Sequence, residues 1–420
     1  MTRKRVLRVV FVRPAATPRL PSLFVHPDPV DPADVLPVEL LRLATTVKLG
    51  SPHRVFVHDA RRDKAGNRAT RGVVTVHRAD IAIVQLELSL LGDGLEVARA
   101  ARDGGANLVL ATGPLVRRWP DAVAGMPEFD GVLDPGGAPS LLELLTRASA
   151  DELDAQGISE VLAQSPSPPA ADARGVDRRL LDYAAYRCAH RGRPSPVGRR
   201  VDKGRWAASP VLLEDETGHL CSADVVADDL RECALLGIPH LALRAGAERP
   251  TQRWLLDVLP VGGTARVVAP APAKEPGSLD ELKERGVWAL DLGGFAVGAP
   301  DTVRWAGEWV SAARSAGLLV LGRACFGLHG GDAEEEGLAA VQEWGVPLDA
   351  SLVVAVPPQR EALQEWLGWL DAPRSGFRPP VRGGDRTVEI AERARLLLTD
   401  RGPTGPRAAA GRLMRWARGG

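Results

Sequence analysis

The sequence predicts an α/β protein of two tandem units: an N-terminal doubly wound five-stranded parallel sheet of the Rossmann type, then an open barrel of six βα units. Three observations lead there. Short, continuously apolar runs, the pattern of strands buried on both faces, alternate with segments that are apolar at helical spacing. The alternation breaks at "SPSPPAADARG" (165–175), whose prolines and small residues mark a linker. At 420 residues the chain is also too long for one ordinary core.

In the first unit, "RVLRVVFV" is a strand that ends before Pro14, a Pro-rich loop runs to Pro37, and "VELLRLATTVK" is a helix. "HRVFVHDA", "ADIAIVQLEL", "ANLVLATGP" and "FDGVLDPGG" supply four more strands, with helices expected around 95–102, 117–124 and 140–146. Ligands of such sheets bind at the strand carboxyl ends. Those ends carry "RPAATP", "QLELSLLGDG", "ATGP" and "DPGGAP". An acidic helix, "SADELDAQGISEVLAQ", leads into the linker. The second unit then offers strands "WAASPVLL", "PHLALRA", "ARVVAPA", "VWALDLGG", "LLVLGRACFG" and "ASLVVAVPP". Its helices are "ADVVADDLRECALLG", "TQRWLLDVL", "SLDELKERG", "DTVRWAGEWVSAARSAG", "DAEEEGLAAVQEWG" and "QREALQEWLGWL". Six such units fall short of a closed eight-unit barrel, whose sites lie at the strand carboxyl ends. The expected boundaries are 1–150 for the first unit, 151–178 for helix and linker, 179–380 for the partial barrel and 381–420 for a helical tail.

Composition excludes several classes. Lys plus Arg and Asp plus Glu both number 53, so no surplus positive charge points to nucleic acid. No window approaches the roughly 18 apolar residues of a membrane span. "MTRKRVLRVVFVRP" reads as a first strand rather than an export signal. Cys188, Cys221, Cys233 and Cys325 lack paired spacing, so a reducing cytoplasm is the default rather than a disulfide framework.

The succession of these elements resembles the cobalamin-binding radical S-adenosylmethionine (radical SAM) proteins over nearly the whole chain. "VFVRPAATP" is similar to that family's opening strand and proline loop, and "LPVELLRLATTVKLGSPHRVFVHDA" to its first helix and second strand. "GLEVARAARDGGANLVLATGP" matches the stretch ending in a Gly-Gly-Pro turn, with Thr112, Gly113 and Pro114 in that place. "MPEFDGVLDPGGAPSLLELL" follows the stretch with a Gly-Glu-Gly-Glu turn, here Asp134, Pro135, Gly136 and Gly137. "LLDYAAYRC" and "GRPSPVGRR" look like the approach to the barrel, and "LKERGVWALDLGGFAVGAPDTVRWAGEWVSAARSAGLLVLGRACFGLHGGDAEEE" tracks its fourth and fifth units.

In that family the loop after the first barrel strand carries Cys-x-x-x-Cys-x-x-Cys, three thiolates for a [4Fe–4S] cluster whose fourth iron binds S-adenosylmethionine. Here the corresponding stretch, "GRWAASPVLLEDETGHLCSADVV", contains Cys221 alone, and Cys233 follows twelve residues later on the apolar side of a helix with Leu230 and Leu236. A [4Fe–4S] cluster in the usual place is therefore not expected, nor is reductive cleavage of S-adenosylmethionine; binding of that molecule is left open. "DLGGFAVG" also replaces the family's Glu-Ser pair. The resemblance implies a cobalamin site at the carboxyl edge of the first sheet, bordered by Pro14, Ser89, Thr112, Gly113, Pro114, Asp134, Gly136 and Gly137. The glycines would let the corrin approach and Thr112 and Ser89 could donate hydrogen bonds; alternatively the glycines only form tight turns. No Asp-x-His-x-x-Gly motif is present, so histidine ligation of cobalt by that route is not expected.

Other segments read more plainly. In "GLHGGDAEEE" the carboxylates complement the helix dipole, which explains them better than an anion site does. His58 and Asp59 end a strand and point oppositely. His219 with Cys221 is at best a fragment of a zinc site, and His329 has no evident partner. Trp254, Trp305, Trp309, Trp344, Trp366 and Trp369 fall at packing positions of helices. "RAAAGRLMRWARGG" is a basic amphipathic segment, read as a solvated terminal helix.

The functional expectation is a degenerate cobalamin-binding, radical SAM-like protein, a pseudoenzyme or accessory partner of an active radical SAM enzyme in specialised biosynthesis. The alternatives are an enzyme carrying out cobalamin-dependent methyl transfer on a small molecule at the barrel mouth, and a scaffold that binds no cofactor.

Overall fold

The structure is a computed structural model that describes residues 5–15, 37–63, 65–133, 138–152, 154–163, 176–181, 209–214, 219–238, 240–245, 248–263, 265–274, 276–346, 348–353, 361, 363–364 and 384–399. It contains two parallel sheets in an α/β chain, of five and six strands.

The first sheet is built from β1 (Arg8–Arg13), β2 (Arg54–Asp59), β3 (Ile81–Gln85), β4 (Leu108–Thr112) and β5 (Gly131–Val132), in the spatial order β2-β1-β3-β4-β5. Side chains alternate between faces along each strand. Val10, Val12, Val84 and Val109 therefore pack with Val74, Leu95 and Val97 of α2 (Ala69–His77) and α3 (Leu91–Asp103). Phe11, Ile83 and Leu110 pack on the other face with Leu40 and Ala44 of α1 (Val38–Gly50) and Leu141 and Leu144 of α6 (Ala138–Ser149). The helix expected over 117–124 is instead two, α4 (Pro114–Arg118) and α5 (Pro120–Ala124). Pro120 has no N–H to continue the first and disfavours helical geometry at Trp119, whose φ of −137° lies outside the helical range. Helix α7 (Ala155–Ala163) follows α6.

The second sheet runs in sequence order: β6 (Ser209–Leu212), β7 (His240–Arg244), β8 (Arg266–Pro270), β9 (Val287–Ala296), β10 (Leu319–Phe326) and β11 (Asp349–Leu352). Between them lie α8 (Ala223–Leu235), α9 (Gln252–Val258), α10 (Asp280–Glu284), α11 (Pro300–Ser315) and α12 (Gly331–Glu343). Pro300 opens α11, and Asp301 and Arg314 complement the dipole at its two ends. One face of the sheet joins these helices in an apolar core that includes Leu241, Leu290, Phe326, Trp309 and Val341. Helix α13 (Gly384–Thr399) is part of that core through Ile390, Ala391, Ala394 and Leu398, so this portion of the expected tail is structural.

Residues 176–181 fasten the two sheets together. Val176 packs with Val38 and Leu41 of α1 beside Leu212 of β6. The Asp177 N–H donates to Thr45 Oγ1 at 2.8 Å. Arg178, fully buried, donates to both carboxylate oxygens of Asp229 on α8 and to the Pro210 carbonyl at 3.2 Å. Burial alone would lower the Arg178 pKa, but hydrogen bonds and charge from Asp229 outweigh it and raise the value. Arg42 completes the junction by donating to the Glu214 carbonyl at 2.6 Å.

Candidate functional site

The carboxyl edge of the first sheet carries a row of polar side chains. Arg13 lies in register with Asp59, and Gln85 with Thr112; Val12 pairs with Val84, so Arg13 and Gln85 occupy adjacent positions. The row Asp59, Arg13, Gln85, Thr112 thus crosses four strands on the face that also bears Phe11, Ile83 and Leu110. All four are buried. Arg13 Nη1 donates to Asp59 Oδ2 at 3.0 Å. Just beyond the row, Arg61 Nη2 donates to Glu87 Oε1 at 2.9 Å, and burial pulls the Arg61 pKa down against the opposing charge of Glu87. Asn67 links Ala15 to Asp93: it accepts from the Ala15 N–H and donates to the carboxylate at 2.7 Å.

Gln85 carries the unfilled buried acceptor of this network. Its Nε2 reaches Glu87 Oε1 at 3.5 Å, which fixes the amide with nitrogen toward the carboxylate. Its Oε1 is then buried and accepts no hydrogen bond. A buried acceptor without a donor costs about 1–3 kcal/mol, and such atoms mark the place of a missing partner.

Of the residues proposed from the sequence, Pro14, Thr112, Gly113 and Pro114 lie at this edge. Pro14 is buried at the end of β1, and Thr112, Gly113 and Pro114 form the β4–α4 turn. Gly113 has φ +100°, and a Cβ there would lie 3.0 Å from Gln85 Cγ and 3.1 Å from the Leu86 carbonyl. Glycine is required here by the chain's own packing, whatever binds above. Asp134, Pro135, Gly136 and Gly137 lie outside the described residues, as does the Ser89 side chain.

A second polar group lies on the six-stranded sheet. Register places Arg323 beside Asp349, Cys325 beside Ser351, and Leu321 beside Asp291, on the face opposite the apolar helix core. Burial raises the Asp349 pKa to about 6; Arg323 opposes this and Asp291 adds to it. Arg249 spans the strand ends, donating to the Leu292 carbonyl at 2.6 Å and the Ala271 carbonyl at 3.2 Å with its guanidinium 4.3 Å from the Trp305 ring. Sequence reasoning missed Asp291, Arg323 and Asp349, although a charge inside each of "VWALDLGG", "LLVLGRACFG" and the approach to "ASLVVAVPP" was the available signal.

After β6, Glu214 forms an antiparallel bridge with Leu220, and the Cys221 N–H donates to the Leu213 carbonyl at 2.7 Å. Cys221 and Cys233 are both buried in the apolar core. Burial pushes the Cys233 thiol up to about 12 and Cys325 up to about 11, so both carry their protons at neutral pH. Cys188 lies outside the described residues. His219 is exposed while Cys221 is in the core, and among the described residues no group of three His, Cys, Asp or Glu side chains could hold a metal ion.

Elsewhere, Glu334 of α12 is fully buried and its Oε1 accepts from the N–H groups of Gly327, Leu328 and His329, filling the turn at the end of β10. His58 lies 3.7 Å from Asp63 while Asp59 turns to Arg13. Trp309 is fully buried, and Trp254, Trp305 and Trp344 pack partly buried against the same core; Trp366 and Trp369 lie outside the described residues, as does 400–420. No described helix is long and apolar enough to cross a membrane.

Two parallel sheets of five and six strands in this succession make a fold similar to that of a solved radical S-adenosylmethionine methyltransferase. Among solved structures, this chain is similar to TsrM from Kitasatospora setae. With cobalamin and a [4Fe–4S] cluster bound, TsrM matches at a TM-score of 0.62 and 16% identity over 92% of this chain and 85% of its own. With tryptophan substrate and the SAM analogue aza-SAM bound, it matches at 0.60 and 15% identity over 92% of this chain and 82% of its own. At this identity the likeness shows the fold. No protein-family profile and no curated protein sequence matches the chain.

Proposed function

We propose that this chain is a cobalamin-binding protein on the radical SAM methyltransferase fold that has given up reductive chemistry and acts as an accessory partner of a cluster-bearing relative in specialised biosynthesis. In this reading the first sheet is doubly wound and the second is an open six-unit barrel, with unit boundaries at 1–150, 151–178, 179–380 and 381–420. The observation that carries it is the burial of Cys221 behind the Glu214–Leu220 bridge after β6. A cluster needs three convergent thiolates, but Glu214 pairs with Leu220 and Cys221 packs into the core. The described cysteines do not fit a [4Fe–4S] cluster.

The first sheet fits cobalamin better, because Gln85 Oε1 offers a buried acceptor at the strand carboxyl edge, where ligands of such sheets bind. Pro14, Thr112, Gly113 and Pro114 would border the cofactor, together with Ser89, Asp134, Gly136 and Gly137. Bound cobalamin supplies a cobalt centre able to carry a methyl group. The chain's own contribution is a rigid, ion-paired floor of Asp59, Arg13, Arg61 and Glu87 that keeps the edge polar and preorganised.

Gel filtration with hydroxocobalamin tests the cofactor half: coloured cofactor co-elutes with the protein, whereas protein eluting colourless would refute it. Mixing with a cluster-bearing relative from the same host tests the partner half, and separate elution at micromolar concentration would refute that. A second reading is methyl transfer to a small molecule at the barrel mouth; Asp349 at the start of β11, held near 6 by burial beside Arg323, is a proton-carrying group on the sheet face opposite the helices. Turnover by the isolated chain would establish it against the first.

A further inference from the structure

We infer that Gln85 is a specificity residue of the cofactor edge, its Oε1 accepting an N–H from a primary carboxamide on the corrin rim. The inference rests on the cobalamin reading and assigns it a chemical determinant. Gln85 is 7% exposed, and its side chain stands between Arg13 and Thr112 in a row that closes the carboxyl ends of four strands. Neighbouring carboxylates in this network receive donors: Asp59 from Arg13, Glu87 from Arg61, Asp93 from Asn67. Gln85 Oε1 receives none.

Reversing the amide does not relieve this, because it would set the oxygen against Glu87 and leave the nitrogen unfilled instead. The missing group must therefore be a donor. A neutral N–H suits it, since the site already holds two Arg–carboxylate pairs, and an extra cation would upset that balance. The corrin rim carries such donors as primary carboxamides, whereas a carboxylate or ester rim offers none.

The role is separable from folding. A structural glutamine would stabilise the free protein, but an unfilled acceptor does the reverse, so Gln85→Leu and the closer isostere Gln85→Met are expected to leave the cofactor-free protein as stable as the parent or more so. The test measures dissociation constants for hydroxocobalamin and for cobinamide, which keeps the corrin carboxamides and lacks the nucleotide, by absorbance titration, alongside urea midpoints of the cofactor-free proteins. The expected result is about a tenfold loss of affinity for both ligands in both variants, with midpoints unchanged or raised. Equal affinities in parent and variants would overturn the role of Gln85 while leaving cobalamin binding intact. Lost affinity accompanied by lowered midpoints would mark Gln85 as structural and overturn it too. Failure of the parent itself to bind either ligand would refute the cofactor reading and this inference with it.

Discussion

Replacing Arg178 with Met removes the cation that neutralises Asp229 at the junction of the two sheets. Arg178 is fully buried and Asp229 is 6% exposed, so water cannot take over the lost hydrogen bonds. The carboxylate would then be buried without its cation, a situation that typically costs about 3–5 kcal/mol. Protonation sets a ceiling on the charge penalty: from a reference pKa of about 3.9, neutralising a carboxyl costs about 4 kcal/mol at pH 7 and about 1.5 kcal/mol at pH 5. Met retains most of the apolar volume. Arg178→Met is therefore expected to lose about 3–4 kcal/mol at pH 7 and about half that at pH 5. The double variant Arg178→Met with Asp229→Leu should recover most of the loss, because no charge is left stranded. Urea unfolding followed by tryptophan fluorescence at the two pH values measures all three proteins. A penalty below about 1 kcal/mol, or one equal at both pH values, would refute the reasoning.

Three further outcomes follow from the same physics. Asp349, raised to about 6, gives stability that is fully present below its unfolded value near 3.8 and is lost as pH rises through the folded one. Asp349→Asn should therefore be more stable than the parent at pH 7 by about 1–3 kcal/mol and show a flatter urea midpoint between pH 4 and 6; an unchanged pH profile would contradict this. Gly113→Ala adds a Cβ at φ +100° and 3.0 Å from Gln85, and should cost about 1–3 kcal/mol in the cofactor-free protein, a neutral result in urea unfolding being the refutation. Cys233 and Cys325, held protonated by burial, should resist iodoacetamide at pH 7.5 in the native protein and react in urea, as mapped by mass spectrometry; labelling of the native thiols within minutes would count against it.

The strands were legible because each is a continuous apolar run, and both sheets have the strand numbers those runs imply. Helix α2 was not, since "ATRGVVTVH" is rich in β-branched residues and takes its shape from packing Val74 under the sheet. Helix α13 hid its buried stripe of Ile390, Ala391, Ala394 and Leu398 among charged residues, and its place in the core depends on contacts with β11 and α12 that the sequence does not announce. At the candidate site, the turn at Thr112, Gly113 and Pro114 was readable from glycine and proline. The polar row was not: Arg13, Asp59 and Gln85 are far apart in sequence and meet only through strand register.

Cobalt and iron measured on one sample decide the central claim most directly. After anaerobic reconstitution with iron, sulfide and hydroxocobalamin and removal of unbound material, elemental analysis should find about one cobalt per chain and iron near zero, because the described cysteines offer no trio of convergent thiolates. Iron at about four per chain would contradict the account at its root.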